Sequence, residues 1–383
     1  MVSTTAAVDL PPAPESILWL TSAEQLDQWL ERVSGQPLAL DTEFERVNTF
    51  YPVPGLVQLG AGSDFYLVDP EVAENSARFR DVLADPAVPK LLYAMSEDLE
   101  LFRHWLGVEP RGVIDLQIGA AMAGEGFSVG YARLVEALFG ETLDKSATRS
   151  DWLKRPLSEA QQRYAIEDIR FLEPLHRWVV GHLQQRGLEQ ALKEESSRFA
   201  EEQSLLDNPA RHYLKLRAGW TLNLSQQLVL RDLVLWREAQ CQKLDRPRNR
   251  VLADSVLITI AEQMPTNQRA LSSIEGLPAV VVRKYGDIFL ELVNQDRDVA
   301  MEPGFERIAP PLTREQQGLF KKVKQHFKKS AENADVPIEL LAPRKRLEKV
   351  IQDGTIAKQD FFQGWRAEIL APLRGDIEEL LRS

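Results

Sequence analysis

The chain has 383 residues, too many for one ordinary hydrophobic core and enough for two or three domains. Its 44% hydrophobic and 27% charged residues are the composition of a soluble globular protein, and a single cysteine, Cys241, excludes an internal disulfide and any Cys-rich zinc site. The five histidines show no ligand spacing, and the formal net charge is −11, which at first sight argues against a partner as acidic as a nucleic acid.

Met1 to Glu15 has no basic n-region and no apolar core, so a signal peptide is not expected and residues 1–17 read as a tail. No apolar run is long enough to cross a bilayer, and the cytoplasm is the natural location. Short apolar runs bounded by turn residues follow: Pro37–Asp41, Leu56–Leu59, Asp64–Val68, Lys90–Ala94 and Val113–Leu116. Helical stretches at Glu97–Trp105 and Val129–Phe139 alternate with the later runs. Three early strands in close succession suggest a meander and the later alternation suggests parallel additions, so a mixed sheet with flanking helices is expected.

From Ser158 the strand pattern stops. Ser158-Glu-Ala-Gln161 is a capping box opening a long helix, which Pro174 should kink or split. The charged stretch Glu194–Pro209 reads as a linker. Beyond it Leu222–Gln242, Ala253–Gln263 and Ala279–Leu292 read as helices of a small all-α module. Arg297–Pro311, with Pro303, Pro310 and Pro311, is a second boundary, and a last helical module runs from Arg314 to Leu381. Arg211–Arg250 holds nine basic residues against three acidic, and Pro311–Val350 ten against five. These excesses of +6 and +5 leave −22 for the rest, so an acidic first half that collects cations precedes two basic patches suited to polyanions.

Four acids stand out by position. Asp41 and Glu43 close the first strand of the motif Leu40-Asp-Thr-Glu-Phe44, where period-two alternation puts both carboxylates on one side. Asp98 opens a helix in Ser96-Glu-Asp-Leu-Glu-Leu-Phe102, with Ser96 as a candidate cap. Asp168 lies in the long helix, with Tyr164 one turn earlier on the same face. Convergent carboxylates repel one another unless neutralised, and hard divalent ions such as Mg²⁺ or Mn²⁺ prefer oxygen ligands. Two such ions suffice for phosphodiester hydrolysis without a histidine or cysteine nucleophile.

In order, Asp41-Thr-Glu-Phe44, Thr49-Phe-Tyr-Pro52, Leu56-Val-Gln-Leu59, Ser96–Phe102, Gly130–Val135, Asp151–Leu157 and Tyr164-Ala-Ile-Glu-Asp168 resemble the DEDD-type 3′→5′ exonucleases, specifically the ribonuclease D family, over roughly Leu18–Leu183. The resemblance implies a ribonuclease H-like fold and two bound divalent ions, one held by Asp41, Glu43 and Asp168 and the other by Asp41 and Asp98. Tyr164, helped by Glu43, would orient the attacking water. Tyr93 departs from the pattern, standing where many relatives have a histidine. Trp236-Arg-Glu, Asp245-Arg-Pro247 and Leu271–Pro278 resemble an HRDC module (helicase-and-RNase-D C-terminal), and Leu341-Ala-Pro-Arg344 with Gly364-Trp-Arg366 resembles a weaker second one.

The expected organisation is a tail (1–17), an α/β exonuclease domain (18–193), a linker (194–213) and two all-α HRDC-type domains (214–296 and 311–383). The implied activity is stepwise removal of nucleotides from RNA 3′ ends as 5′-mononucleotides, in tRNA precursors and other small structured RNAs, by a working monomer. Phosphate contacts fall to Arg246, Arg248, Arg250, Lys321, Lys322 and Lys328, and base stacking to Phe44, Phe50 and Tyr51. A 3′→5′ DNA exonuclease and a non-catalytic RNA-binding adaptor are the alternatives.

Overall fold

In the computed structural model, which describes residues 9–297 and 305–382, the chain divides into two units. Pro303 of the expected second boundary, the start of the expected tail and Ser383 lie outside the described residues. The first unit holds the chain up to Glu45, Pro54–Glu201 and everything from Leu312 onward; the second holds Arg46–Val53 and Glu202–Pro311.

The first unit is built on six strands: β1 (Leu18–Leu20), β2 (Leu38–Glu45), β3 (Val53–Ala61), β4 (Asp64–Val68), β5 (Lys90–Leu92) and β6 (Val113–Asp115). Their order across the sheet is β1-β4-β3-β2-β5-β6. Strands β3 and β4 pair antiparallel, whereas β1–β4, β2–β5 and β5–β6 pair parallel, so the sheet is mixed as expected. Alternation divides its side chains between two cores. Ala39, Leu56, Phe65, Leu67, Leu91 and Ile114 face one core, and Leu38, Leu40, Val57, Leu59, Val68, Leu92 and Val113 face the other.

Nine helices follow the same chain: α1 (Ala23–Arg32), α2 (Pro70–Asn75), α3 (Ala77–Ala84), α4 (Ser96–Trp105), α5 (Leu116–Met122), α6 (Tyr131–Phe139), α7 (Glu159–Arg170), α8 (Leu172–Gln184) and α9 (Glu189–Leu206). Helix α7 sends Ala165, Ile166 and Ile169 into the first core, while α4 sends Leu99 and Phe102 into the second. Ser158 and Gln161 form the expected reciprocal capping box. The long helix does split, at Phe171. Pro174 has no N–H, and its ring would crowd the carbonyl four residues back, at Arg170, where α7 ends.

The stretch expected as a linker is mostly helix α9, with Glu195, Ser196 and Ala200 buried. Its charges read as solvated because, Arg198 beside Glu195 apart, their partners lie some 170 residues later. Arg366 donates to Glu195, the Trp365 indole donates to Glu195 at 3.3 Å, and the Trp365 amide donates to Glu194 at 2.8 Å. These partners belong to a last helical module of the same unit: α15 (Arg314–Asn333), α16 (Ile338–Leu341), α17 (Arg344–Asp353), α18 (Arg366–Leu370) and α19 (Arg374–Arg382).

The second unit is helical: α10 (Leu224–Leu244), α11 (Arg248–Val251), α12 (Asp254–Gln263), α13 (Gln268–Ser272) and α14 (Ala279–Asn294), around Leu230, Leu233, Leu257, Ile260, Leu271 and Phe289. The β2–β3 connection packs within it. The amides of Phe50 and Tyr51 donate to one oxygen of Asp245, at 2.9 and 3.2 Å.

From their first caps to the ends of their ten-residue helices, the two helical modules share one backbone plan at a constant offset of 90 residues. Asn223 and Thr313 cap the long helices α10 and α15, each in a box with the Gln three residues on. Gln227 and Gln317 each donate to the carbonyl five residues back. Asp245 and Asp335 then take left-handed conformations, at φ 45° and 52°. A four-residue helix follows in each, then a non-helical pair beginning at Leu252 and Ala342, then a ten-residue helix closed by a left-handed residue, Met264 or Gly354.

Candidate active site

Strand β2 runs out of the sheet between helices of two layers, and this is what assembles the site. Asp41 and Glu43 continue the face of Ala39, the side on which α7 packs, so they meet Asp168. One carboxylate oxygen from each of Asp41, Glu43 and Asp168 falls within 4.8 Å of the others. Thr42 continues the opposite face, the side of α4, and its hydroxyl donates to a buried Asp98 oxygen. A cleft of about 360 Å³ is lined by all four acids with Thr42, Phe44, Tyr93, Ala94, Glu97, Tyr131 and Tyr164.

The electrostatics are those of a site that lacks counter-charge. Burial, then repulsion by Asp98, Asp168 and Glu43, raises Asp41 well above the carboxylate range. Burial, then Asp168 and Asp98, pushes Glu43 up to about 9. Burial lifts Asp98 to about 7 against the opposing hydrogen bond from Thr42, and lifts Asp168 to about 7 against that from Tyr164. Tyr164 is raised by burial and then by the Asp168 charge, so its hydroxyl stays protonated as a donor. Desolvated, all-oxygen and mutually repelling, this donor set fits hard divalent cations, which would reverse each of these shifts.

The five residues singled out in the sequence therefore come together, and Phe44 joins them on the cleft wall. Several RNA-contact expectations are corrected. Phe50 is buried, with the Arg248 guanidinium 4.8 Å from its ring centre, so its faces are not open to a base. Arg248 itself is committed to the buried Glu238, which accepts from it at 2.9 Å through both oxygens. Tyr51 is half-buried and tied through its amide to Asp245. Arg246, Arg250, Lys321, Lys322 and Lys328 are exposed, and Lys328 pairs with Glu332 at 3.5 Å.

Ser96 does not cap α4: Met95 occupies that position without a side-chain bond, and the preceding corner is held by Asp115. The sequence reading missed Asp115 although the signal was present. Like Asp41, it is an acid closing an apolar strand run, Val113-Ile114-Asp115. Thr42 was also missed, because the alternation that groups Asp41 with Glu43 sends the residue between them to the other side.

A mixed sheet with flanking helices, carrying carboxylates from a strand and two helices in one cleft, is an architecture suited to a nuclease. A family model described as 3′-5′ exonuclease matches residues 17–180, and one described as HRDC domain matches residues 226–293. The chain is 36% identical over 361 residues to ribonuclease D of Pseudomonas paraeruginosa, covering 93% of this chain and 96% of that one. It is 32% identical over 362 residues to ribonuclease D of Escherichia coli K12, covering 92% and 96%. The crystal structure of Escherichia coli RNase D, described as an exoribonuclease involved in structured RNA processing, superimposes with a TM-score of 0.82 at 30% identity over 96% of this chain and 99% of that one. The chain belongs to the ribonuclease D family. It is a nuclease whose acidic cluster is able to bind metal, and among the described residues no helix is long and apolar enough to cross a membrane.

Proposed function

We propose that this enzyme shortens RNA from the 3′ end, releasing 5′-mononucleotides, and that its substrates are tRNA precursors and other small structured RNAs. The observation that carries the reading is the convergence of Asp41, Glu43, Asp98, Asp168 and Tyr164 on one cleft. Asp41, Glu43 and Asp168 would hold one Mg²⁺ or Mn²⁺, and Asp41 with Asp98 a second. Such ions would supply an activated water and charge stabilisation for the leaving 3′ oxygen. Tyr164, its hydroxyl bonded to Asp168, orients the attacking water, and Glu43 takes part in that alignment. Phe44, half-buried on the cleft wall, is placed to stack on a terminal base.

The division of labour we infer follows the chain. Residues 18–193 carry the chemistry. The modules at 214–296 and 311–383 hold RNA through exposed cations such as Arg246, Arg250, Lys321, Lys322 and Lys328. The constant offset of 90 residues in the caps and corners of their first halves supports an HRDC-like identity for the second module. The reading places the enzyme in the cytoplasm as a monomer.

The test is end-labelled RNA with a 3′ tail, incubated with Mg²⁺ or Mn²⁺ beside a matched DNA. Stepwise shortening of the RNA is expected, abolished by Asp41→Asn and by Asp168→Asn. Trimming that survives either substitution would rule out this site. Faster attack on DNA would move the substrate class, and tight RNA binding without product under any metal would make the chain an adaptor.

A further inference from the structure

The three-carboxylate group of Asp41, Glu43 and Asp168 is set by β2 and α7. Asp98 comes from elsewhere: it sits in the first turn of α4, and the start of α4 fixes where its carboxylate lies. That start is unusual. Helix α4 has no side-chain cap of its own, and Ala94, which lines the cleft, holds a left-handed conformation at φ 57° that residues with a Cβ avoid. Something outside the helix must hold the corner.

Asp115, at the end of the neighbouring strand β6, supplies it. One of its oxygens accepts the Ala94 amide at 3.0 Å, and the other accepts the Met95 amide at 3.3 Å. The first oxygen also accepts the Gln117 amide at 2.9 Å, capping α5, and the Asp115 amide donates to Ser196 of α9 at 3.1 Å. Asp115 is only 2% exposed, so the carboxylate cannot swing away into water. A single buried side chain thus joins the exits of β5 and β6 and pins the left-handed corner at Ala94, four residues before Asp98.

We propose that Asp115 is a positioning residue for the metal site: by fixing the corner at Ala94–Met95 it sets the place of Asp98 opposite Asp41. The inference rests on the metal reading above, and its test separates the two. Mn²⁺ is titrated into the full chain by calorimetry, with RNA trimming followed in parallel. The parent is expected to bind two Mn²⁺. Asp115→Asn, nearly isosteric but presenting a donor to the Met95 amide, should weaken one of the two sites by about tenfold or more, the usual effect of losing a group that orients a ligand. It should lower kcat by a similar factor while KM for RNA stays within about twofold. Asp115→Ser keeps the cap on α5 but does not reach the corner, so it folds with its helix intact and is expected to show the same loss. Adding Ala94→Gly, which removes the strain from the corner, should return part of the lost affinity.

A parent that binds no Mn²⁺ would refute the metal reading itself. A parent that binds two, beside folded variants that bind them equally well and differ only in Tm, would overturn the role of Asp115 alone.

Discussion

Replacing Asp98 by asparagine should make the metal-free protein more stable at alkaline pH while removing the second ion's share of its response to metal. Asp98 is 7% exposed and its carboxyl is pushed from 3.8 to about 7, by burial and then, against the Thr42 hydrogen bond, by the charges of Glu97 and Asp115. The sign follows from which form the fold prefers. A folded pKa above the unfolded one means the fold favours the protonated acid, so its contribution is fully present below about pH 4 and is lost as the pH climbs through 7. At roughly 1.4 kcal/mol per pH unit the full gap is about 4 kcal/mol, and proton sharing among four neighbouring acids brings the expected gain to about 2 kcal/mol at pH 8. Asparagine keeps an acceptor for the Thr42 hydroxyl and carries no charge. Thermal unfolding in EDTA at pH 8 should therefore show the transition of the unit bearing the site raised by about 4–8 °C, with the advantage fading below about pH 4. Saturating Mn²⁺ should reverse the ranking, because both proteins keep the ion held by Asp41, Glu43 and Asp168 but only the parent gains about 2.7 kcal/mol more from a second ion at a hundredfold its Kd. If Asp98→Asn gains nothing at pH 8 in EDTA, or if Mn²⁺ raises both proteins alike, the account of these acids as a desolvated cation site is refuted.

Three further changes test how the rest of the chain supports the site. A Cβ at Gly55 would lie 2.9 Å from the Trp152 Cβ and 3.1 Å from the Glu43 carbonyl oxygen, so Gly55→Ala should displace β2 and cut kcat by about 10- to 100-fold in trimming assays at full metal occupancy. Arg366→Met leaves the fully buried Glu195 to Arg198 and the Trp365 indole, and urea unfolding should show a loss of about 1.5–3 kcal/mol, partly restored by adding Glu195→Gln. Asp245→Ala removes the acceptor of two amides, so hydrogen exchange at Phe50 and Tyr51 should quicken by about fivefold or more while the Tm barely moves; unchanged exchange would deny the clamp.

What the sequence disclosed, and what it withheld, divides along a physical line. Signals carried by neighbouring residues were legible. The pairing of Asp41 with Glu43 follows from alternation, the start of α7 from its capping box, and the break at Phe171 from Pro174. Signals whose meaning depends on a distant partner were not. The charges of α9 look solvated until Arg366 and Trp365 are set beside them. Arg248 looks free for phosphate until Glu238, ten residues earlier and buried, is seen to hold it. Phe50 looks like a stacking platform because it stands near the acidic motif in sequence, yet its ring lies under Arg248. Strand β1, three residues long, is too short for any period to show.

The two helical modules sharpen the same distinction. Their sequences look unrelated because packing is fixed by volume and chemistry, which drift, whereas helix ends and corners are fixed by backbone needs that few residues meet. At the centre of the first long helix the buried Arg237 donates to the Leu252 carbonyl and to Asp254. Ninety residues on, the same place is held by Phe327, buried against Phe361 at 5.1 Å between ring centres. A charged anchor in one core and an aromatic pair in the other defeat any comparison of core residues. Yet the capping boxes at Asn223 and Thr313, the left-handed aspartates at 245 and 335, and the prolines at 247 and 337 persist in register. Each satisfies orphan backbone groups or fixes a turn, and losing one would cost about as much as losing a core methylene. The likeness of the two modules therefore lies in their punctuation, and it is there that a sequence comparison should be weighted.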